Sequence, residues 1–238
     1  MFSRARAIVI GAGAACALLA LAGCSSGSTT GGATPDEPDP TPGSEVAAAW
    51  LDDGRGVGVV TYGSSSCVPS VAGVEGVDGV LSVELADPED QACTMDYVPR
   101  AVYVALPEGM SPADDLAVAV TGDYAGDVIL AGDPSLAGMP GDMTEYAPSA
   151  GWAGEGTIVI LTWGSSSCAP VVEGAEVTGD SEVTVTFETP AADQVCTMDM
   201  APRVTIATVD GPDEPVGATA VLTGGEFDAV PVPIAGTP

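Results

Sequence analysis

The chain has 238 residues, with 34 acidic and five basic side chains, six cysteines and no histidine or lysine, and its formal net charge is −29. Without His or Lys, the sequence excludes Ser-His-Asp and Cys-His nucleophiles, Schiff-base and P-loop lysines, and His-ligated zinc or iron sites. Because phosphate binding depends on clustered Lys and Arg, the charge also argues against nucleic acid as a partner. With 46% hydrophobic residues, the composition is that of a folded protein.

The N-terminus has the pattern of an export signal. Arg4 and Arg6 precede an uncharged apolar run over residues 7–22, which is short for a membrane span and is followed at once by polar sequence. The run ends in LAGC at residues 21–24, which resembles the lipobox of bacterial lipoproteins, whose cysteine is diacylated and becomes the new N-terminus. Cys16 lies in the middle of the run and lacks the preceding Leu. We therefore expect a lipoprotein signal peptide at 1–23 and acyl groups, palmitate among them, on Cys24; an ordinary signal peptide or an uncleaved anchor is the alternative.

The residues after the signal form a spacer. Residues 25–44, SSGSTTGGATPDEPDPTPGS, contain no large apolar side chain and cannot bury enough surface to fold. The sequence therefore predicts a flexible, disordered linker at 24–44. Cleavage before Cys24 leaves three arginines against 34 acids, a formal charge of −31. Since an anionic membrane surface repels such a body, a spacer between the acyl anchor and the fold is expected.

The rest of the chain contains a duplication. TYGSSSC at residues 61–67 recurs as TWGSSSC at 162–168, and DQACTMDYVPR at 90–100 recurs as DQVCTMDMAPR at 193–203. Offsets just above 100 residues are too long for solenoid or propeller repeats and fit one small domain per copy. We predict two tandem homologous domains at residues 45–140 and 149–238.

Each copy is predicted to be all-β. Short Val-rich segments, several of them alternating, are separated by Gly, Pro and Asp clusters that favour turns, and no segment carries a 3.6-residue apolar stripe. Residues 50–54 and 152–156 are predicted to be one arm and turn of a hairpin. The expected fold is a small β-sandwich or open barrel per copy. The predicted strands are 56–62, 80–86, 100–106, 116–121 and 128–131, then 157–163, 182–188, 203–208, 218–223 and 229–234.

Four cysteines remain in the predicted mature body after Cys24. An even set in an exported protein predicts disulfides, and four cysteines allow three pairings. Because an ancestral single domain could close only its own two, the duplication favours Cys67–Cys93 and Cys168–Cys196. A metal site built from these thiols is the alternative, and the wide spacing without a CxxC motif argues against it.

Two of the three remaining arginines are equivalent in the copies. Arg100 and Arg203 each lie four residues after an aspartate, Asp96 or Asp199. The preferred interpretation is structural, with each arginine pairing with its aspartate or with backbone carbonyls across the loop. The alternative is a binding role, in which the arginine, serine hydroxyls and backbone N–H groups receive a carboxylate or another small anion. The strongly negative body opposes that alternative.

The other polar and aromatic residues contain no recognisable catalytic motif. GSSSC differs from the GxSxG nucleophile elbow because a cysteine replaces the second glycine and no histidine exists to activate the serine. The recurring aromatics at positions 50, 62, 152 and 163 are expected in the core, with a sugar-stacking face as the alternative. The scattered acids fit no DxDxDG loop, so we predict no metal site and no cofactor; weak surface binding of Ca²⁺, as in an adhesion module, is the alternative.

The repeated signature W-x-x-x-G, T-[YW]-G-S-S-S-C and C-T-M-D-x-x-P-R resembles uncharacterised cell-envelope lipoproteins of actinobacteria, in which variants of GSSSC and CTxDxxPR occur. The lysine-free composition rich in Ala, Gly, Val and Asp is similar to that of proteins from high-GC genomes. The resemblance covers residues 45–238 and implies export and an envelope location, with no activity attached.

We therefore expect a lipoprotein on the extracytoplasmic face of the cell membrane, held by acyl groups on Cys24. The missing catalytic residue types and the duplication predict a non-catalytic binding or accessory role toward an unknown envelope protein or glycan. The alternative is a hydrolase that uses paired carboxylates on an envelope glycan or peptide. A cleft carboxylate in only one copy would favour the hydrolase, whereas similar surface groups in both copies favour a binding module.

Overall fold

The computed structural model describes residues 46–209 and 217–238, so the predicted signal peptide, Cys24 and the predicted linker lie outside the described residues. The described part is all-β, as the sequence predicts, with 14 strands and one 3-10 turn at Asp52–Gly54. Within this part, no helix is long and apolar enough to cross a membrane.

The first seven strands form one set and the last seven repeat it. The first set is β1 (Ala47–Leu51), β2 (Gly56–Gly63), β3 (Ser70–Val77), β4 (Val80–Ala86), β5 (Val98–Ala105), β6 (Leu116–Gly122) and β7 (Gly126–Leu130). The second set is β8 (Ser149–Trp152), β9 (Thr157–Gly164), β10 (Val172–Gly179), β11 (Glu182–Phe187), β12 (Ala201–Thr208), β13 (Thr219–Gly224) and β14 (Phe227–Ala235). Strands β3 and β10 were not predicted from the sequence, because they are exposed edge strands whose mixed Gly, Ser, Glu and Val residues show no buried face.

Each set contains a three-stranded and a four-stranded arrangement in the same order. The first set forms the sheets β1-β2-β5 and β3-β4-β6-β7. The second set has the orders β8-β9-β12 and β10-β11-β13-β14, and a parallel pairing of β14 with β8 joins them into one seven-stranded sheet. The parallel pairs β4–β6 and β11–β13 occupy equivalent places. The sequence duplication is therefore also a duplication of strand order.

Each set encloses a core of its own. In the first, Trp50, Val57 and Val59 from the three-stranded sheet pack with β4 and β6 side chains such as Leu81. In the second, Trp152 and its neighbours on β9 pack with β11 and β13 in the same way. Both tryptophans are buried, as expected for aromatics that recur by position in a duplicated fold.

A third apolar cluster joins the two copies. Ala49, Leu51 and Val60 of the first set pack on Val159 and Leu161 of the second. Strands β2 and β9 are therefore buried on both faces, which explains why their apolar residues run almost without interruption instead of alternating. The predicted boundaries, 45–140 and 149–238, enclose the two strand sets, and all the described residues belong to one compact unit.

The close approach of β2 to β9 depends on a glycine. A Cβ added at Gly58 would lie 2.8 Å from Cγ1 of Val159 and 2.9 Å from Cδ1 of Leu51. Overpacking of this kind costs about 1 to 3 kcal/mol. We therefore expect Gly58→Ala to lower the free energy of unfolding by about that amount, as measured by urea denaturation of the full chain.

The matched control is Gly174→Ala in β10, where an added Cβ would meet nothing within 4 Å. This control is expected to be neutral or to stabilise by about 0.5 kcal/mol, because alanine restricts the unfolded chain more than glycine does. Trimming the opposing side chain with Val159→Ala should relieve part of the Gly58→Ala cost, so the two substitutions should not be additive. Equal effects at Gly58 and Gly174 would contradict the packing described for the interface between the copies.

Candidate functional site

Two disulfides define the most distinctive feature of the fold, and their predicted pairing is confirmed. Cys67 is bonded to Cys93 and Cys168 to Cys196, each with a Cα–Cα distance of 5.6 Å and with sequence separations of 26 and 28. Each bond ties the loop after β2 or β9 to the segment just before β5 or β12. Closing a loop of this length contributes about 3 to 4 kcal/mol in the chain-entropy description.

The first tied loop, residues 64–67 together with 93–96, forms a network of short polar side chains. We call it the first Ser-Asp loop. The carboxylate of Asp96 accepts the backbone N–H of Ser65 at 3.3 Å and the hydroxyl of Thr94. The hydroxyl of Ser66 in turn accepts the backbone N–H of Thr94 at 3.0 Å. These bonds cross the disulfide-linked segments and hold the loop in one shape.

The second Ser-Asp loop, residues 165–168 together with 196–199, repeats the network. Asp199 accepts the backbone N–H of Ser166 at 3.1 Å and the hydroxyl of Thr197. The hydroxyl of Ser167 accepts the backbone N–H of Thr197 at 3.0 Å. Both copies therefore display the same polar groups in the same arrangement.

The two aspartates are held in the ionised form. Hydrogen bonds from Ser65 and Thr94 lower the pKa of Asp96 from its ordinary value of 3.8 to about 2. Hydrogen bonds from Ser166 and Thr197 lower the pKa of Asp199 to about 2 in the same way. Hydrogen bonds donated to a carboxylate favour its charged form, so each loop carries a negative charge at neutral pH.

The buried arginines bind the backbone of these loops and not the predicted aspartates. Arg100 donates to the carbonyls of Tyr62 at 3.3 Å, Ser64 at 3.2 Å and Cys67. Arg203 donates to the carbonyls of Cys168 at 3.2 Å and Trp163 at 3.0 Å. A buried guanidinium needs acceptors, and the carbonyls at the end of β2 or β9 and in the loop that follows supply them.

The ion pairs considered from the sequence, Arg100 with Asp96 and Arg203 with Asp199, do not form among the described residues. Each aspartate lies on the outer side of its loop and is already satisfied by N–H and hydroxyl donors, whereas each guanidinium lies beneath the loop. The arginine N–H groups that would bind an external anion are largely occupied by backbone carbonyls.

The glycine of GSSSC makes room for the guanidinium. A Cβ added at Gly63 would lie 2.5 Å from Nη2 of Arg100, and one added at Gly164 would lie 2.8 Å from Cζ of Arg203. The repeated Gly and the repeated Arg, nearly 40 residues apart in the sequence, are therefore parts of one contact.

The two copies differ in the last group that contacts the arginine. In the first copy, the hydroxyl of Tyr124 accepts from Arg100 at 2.6 Å and donates to Asp87 at 2.5 Å, and the ring lies 5.1 Å from the guanidinium carbon. In the second copy, Glu226 occupies the equivalent place after β13 and pairs directly with Arg203. Neither residue was predicted from the sequence as a partner of the arginine. Aligning TGDY at 121–124 with TGGE at 223–226 places the two residues at equivalent positions.

Each Ser-Asp loop presents a fully exposed methionine. Met95 and Met198 lie at equivalent positions between the threonine and the aspartate, and both are fully exposed. Tyr97 and Met200, two residues further along, are each about 60% exposed. Single exposed apolar side chains are ordinary on protein surfaces, but here two neighbouring ones lie at equivalent positions on both loops.

No group of three or more His, Cys, Asp or Glu side chains suited to a metal ion occurs among residues 46–209 and 217–238. The disulfides also occupy the four thiols that the sequence analysis considered as metal ligands.

The lowered pKa of the loop aspartates can be tested with a single substitution. Thr94→Val removes one donor to Asp96, so we expect the pKa of that carboxyl to rise from about 2 toward 3.8 while the pKa of Asp199 stays at about 2. Carboxyl chemical shifts followed by NMR between pH 1.5 and 6, roughly two units to either side of 3.8, give both values in one titration. Thr197→Val is the matched control and should shift Asp199 alone.

The lowered pKa values of Asp96 and Asp199 also make the free energy of unfolding depend on pH. Because the folded-state pKa is lowered, the loop bonds contribute stability that is fully present above 3.8 and is lost as the pH falls through about 2. Thr94→Val should therefore weaken the acid dependence of unfolding in that window. Movement of both aspartates, or of neither, would contradict the two separate networks.

Comparison of the chain with protein-family models, with curated proteins and with solved structures found no match.

Proposed function

We propose that this protein is a non-catalytic lipoprotein, anchored through Cys24 to the extracytoplasmic face of the cell membrane, which binds an envelope protein through its two Ser-Asp loops. The observation that carries the proposal is the equivalent, fully exposed methionine on each loop. The same side chain is displayed twice on the same rigid support.

The loop provides what a contact residue needs. Methionine is flexible and polarisable, so it adapts to an irregular apolar pocket on a partner. The disulfide, the arginine and the aspartate network order the backbone before binding, so little backbone entropy remains to be lost on association. The serine hydroxyls and the aspartate around each methionine supply a polar rim, as protein interfaces have.

A protein partner fits these loops better than a glycan. A sugar-stacking face needs exposed aromatic rings, and the exposed ones among the described residues are Tyr97, which stacks on Tyr62 with ring centroids 5.6 Å apart, and Tyr146 in the segment between the copies. In the second copy Met200 replaces Tyr97, and Trp163 packs against Tyr103 and Tyr146 at the interface between the copies. The repeated feature is therefore the methionine and not an aromatic face.

The charge selects the kind of partner. A mature body of formal charge −31 repels acidic proteins and attracts basic ones, and each loop aspartate adds a charge fixed beside the methionine. The proposed partner is a basic envelope protein with small apolar pockets.

The anchor rests on the LAGC motif, on the linker that follows it and on the two disulfides, which belong to an oxidising compartment. We expect diacylglycerol on Cys24 and retention of the protein in the membrane fraction. Cys24→Ser should abolish both, as measured by mass spectrometry and cell fractionation, whereas Cys16→Ser is the matched control and should change neither. A Cys24→Ser protein processed and retained like the original would refute the anchor.

The loops can be tested by crosslinking in living cells, followed by identification of the captured proteins. We expect a basic envelope protein to be captured, and we expect the Met95→Ser and Met198→Ser double variant to lose most of that product. Truncating one central apolar contact residue costs about 1 to 2 kcal/mol, so the affinity of each loop should fall about fivefold to 30-fold and capture by the double variant by at least that factor.

Met143→Ser is the matched control, because Met143 is 82% exposed but lies outside both loops. Capture that falls equally in the control, or that survives the double variant, would contradict binding through the loops.

The structure also contains an observation that favours the alternative hydrolase. Glu226 is a cleft carboxylate in the second copy alone, and Glu188 lines the same cleft. Glycoside hydrolysis requires such a pair of carboxyl groups free to act on the substrate, and one oxygen of Glu226 is already bound by the guanidinium of Arg203. Turnover of an envelope glycan or peptide that Glu226→Gln abolishes would establish the hydrolase and overturn the binding role.

A further inference from the structure

The cleft beside the second Ser-Asp loop is a cavity of about 510 Å³. Its apolar wall includes Pro170, Val171 and Pro190, and its polar side includes Glu188, Arg203 and Glu226. The volume is in the range of small-ligand sites, which combine an apolar lining with a few polar groups. The exposed methionine of this loop is not part of the lining, so the cavity is a separate feature of the second copy.

The equivalent place in the first copy is covered. The ring of Tyr124 lies over Arg100, with its hydroxyl between the guanidinium and the carboxylate of Asp87. The second copy has Glu226 in place of that tyrosine, and glutamate has no ring to lie over Arg203. The first copy therefore has an arginine covered by a tyrosine ring. The second copy has an arginine whose carboxylate partner lines a cavity.

The terminal nitrogens of Arg203 are engaged, whereas its buried Nε has no hydrogen-bond partner among the described residues. Its two terminal nitrogens bind the carbonyls of Trp163 and Cys168 and the carboxylate of Glu226. An anionic ligand would have to displace Glu226 from Arg203 and would enter a body of strong negative charge. The cavity is therefore a poor site for a carboxylate or phosphate.

The same groups suit a cation. The side chain of Glu226 is 54% exposed, and only one of its oxygens is bound by Arg203, so the other can accept a hydrogen bond. Glu188 is exposed and lines the same cavity, which leaves one negative charge in excess over Arg203. A primary ammonium group donates three hydrogen bonds, and a short alkyl chain behind it would lie against the proline and valine wall.

We propose that this cavity binds an alkylammonium group, which either a free alkylamine or the lysine side chain of a peptide would supply. This site requires neither the lipid anchor nor the exposed methionines. Its test is therefore independent of the tests of the proposed function.

The test uses the purified full chain and NMR titrations with three probes: n-hexylammonium, hexanoate, and an acetylated, amidated Gly-Lys-Gly peptide. We expect hexylammonium to shift resonances of residues that line the cavity and hexanoate to leave them unchanged. Binding of the peptide as well would assign the site to lysine side chains, whereas binding of hexylammonium alone would assign it to free amines.

Two substitutions at Glu226 separate binding from folding. Glu226→Gln keeps the shape and removes the charge, so affinity should fall about tenfold, the size of one charge-assisted hydrogen bond. Glu226→Tyr introduces the residue that the first copy uses to cover its arginine, and it should abolish binding while the protein stays folded. Glu84→Gln, an exposed carboxylate on β4 of the first copy, is the matched control and should leave the affinity unchanged.

The converse substitution tests the same idea in the first copy. Tyr124→Glu should uncover a second site and raise the stoichiometry from one to two. Hexylammonium binding that Glu226→Gln and Glu226→Tyr both leave unchanged, or tighter binding of hexanoate than of hexylammonium, would overturn the proposal.

Discussion

A guanidinium buried near the end of each three-stranded arrangement, β1-β2-β5 and β8-β9-β12, binds backbone carbonyls of the loop that the disulfide closes. These carbonyls lie at the end of β2 or β9 and in the loop that follows, and leaving such a carbonyl buried without a donor would cost about 1 to 3 kcal/mol. Arginine satisfies several at once because its five N–H groups lie in one plane, which the compact ammonium group of lysine cannot reproduce. The serine hydroxyls, the ionised aspartates and the exposed methionines all rest on this support.

The interface between the copies places a second constraint on the same sheets. Strands β2 and β9 must be apolar on both faces, because one face belongs to a copy's own core and the other to the cluster shared with its partner copy. The repeated Ser, Thr and Asp residues of GSSSC and CTMD lie in the loops beyond these strands. Functional residues in loops can change without disturbing a core.

The two copies kept the loop and diverged next to it. Both retain the disulfide, the arginine, the serines and the aspartate, so these groups form the shared framework. The neutral Tyr124 in one copy and the charged Glu226 in the other are two solutions to the same requirement, a side-chain acceptor for Nη2 of a buried arginine. The first solution covers the arginine and the second leaves a cavity open. Repetition thus supports a two-loop binding role, and divergence supports a separate site in one copy.

The amino-acid sequence by itself determined the all-β class, the duplication and the disulfide pairing, because alternating valines, repeated segments and the history of a single ancestral domain are all local or countable features. It also identified Arg100, Arg203, Asp96 and Asp199 as a repeated set. Only the tertiary structure decided that each arginine lies beneath its loop on carbonyls while each aspartate lies outside on N–H groups, that Met95 and Met198 are exposed, and that Tyr124 and Glu226 reach the arginines. The physical reason is that a side chain's partners depend on which face of a sheet it occupies and on strands that are distant in the sequence, and packing alone brings those together.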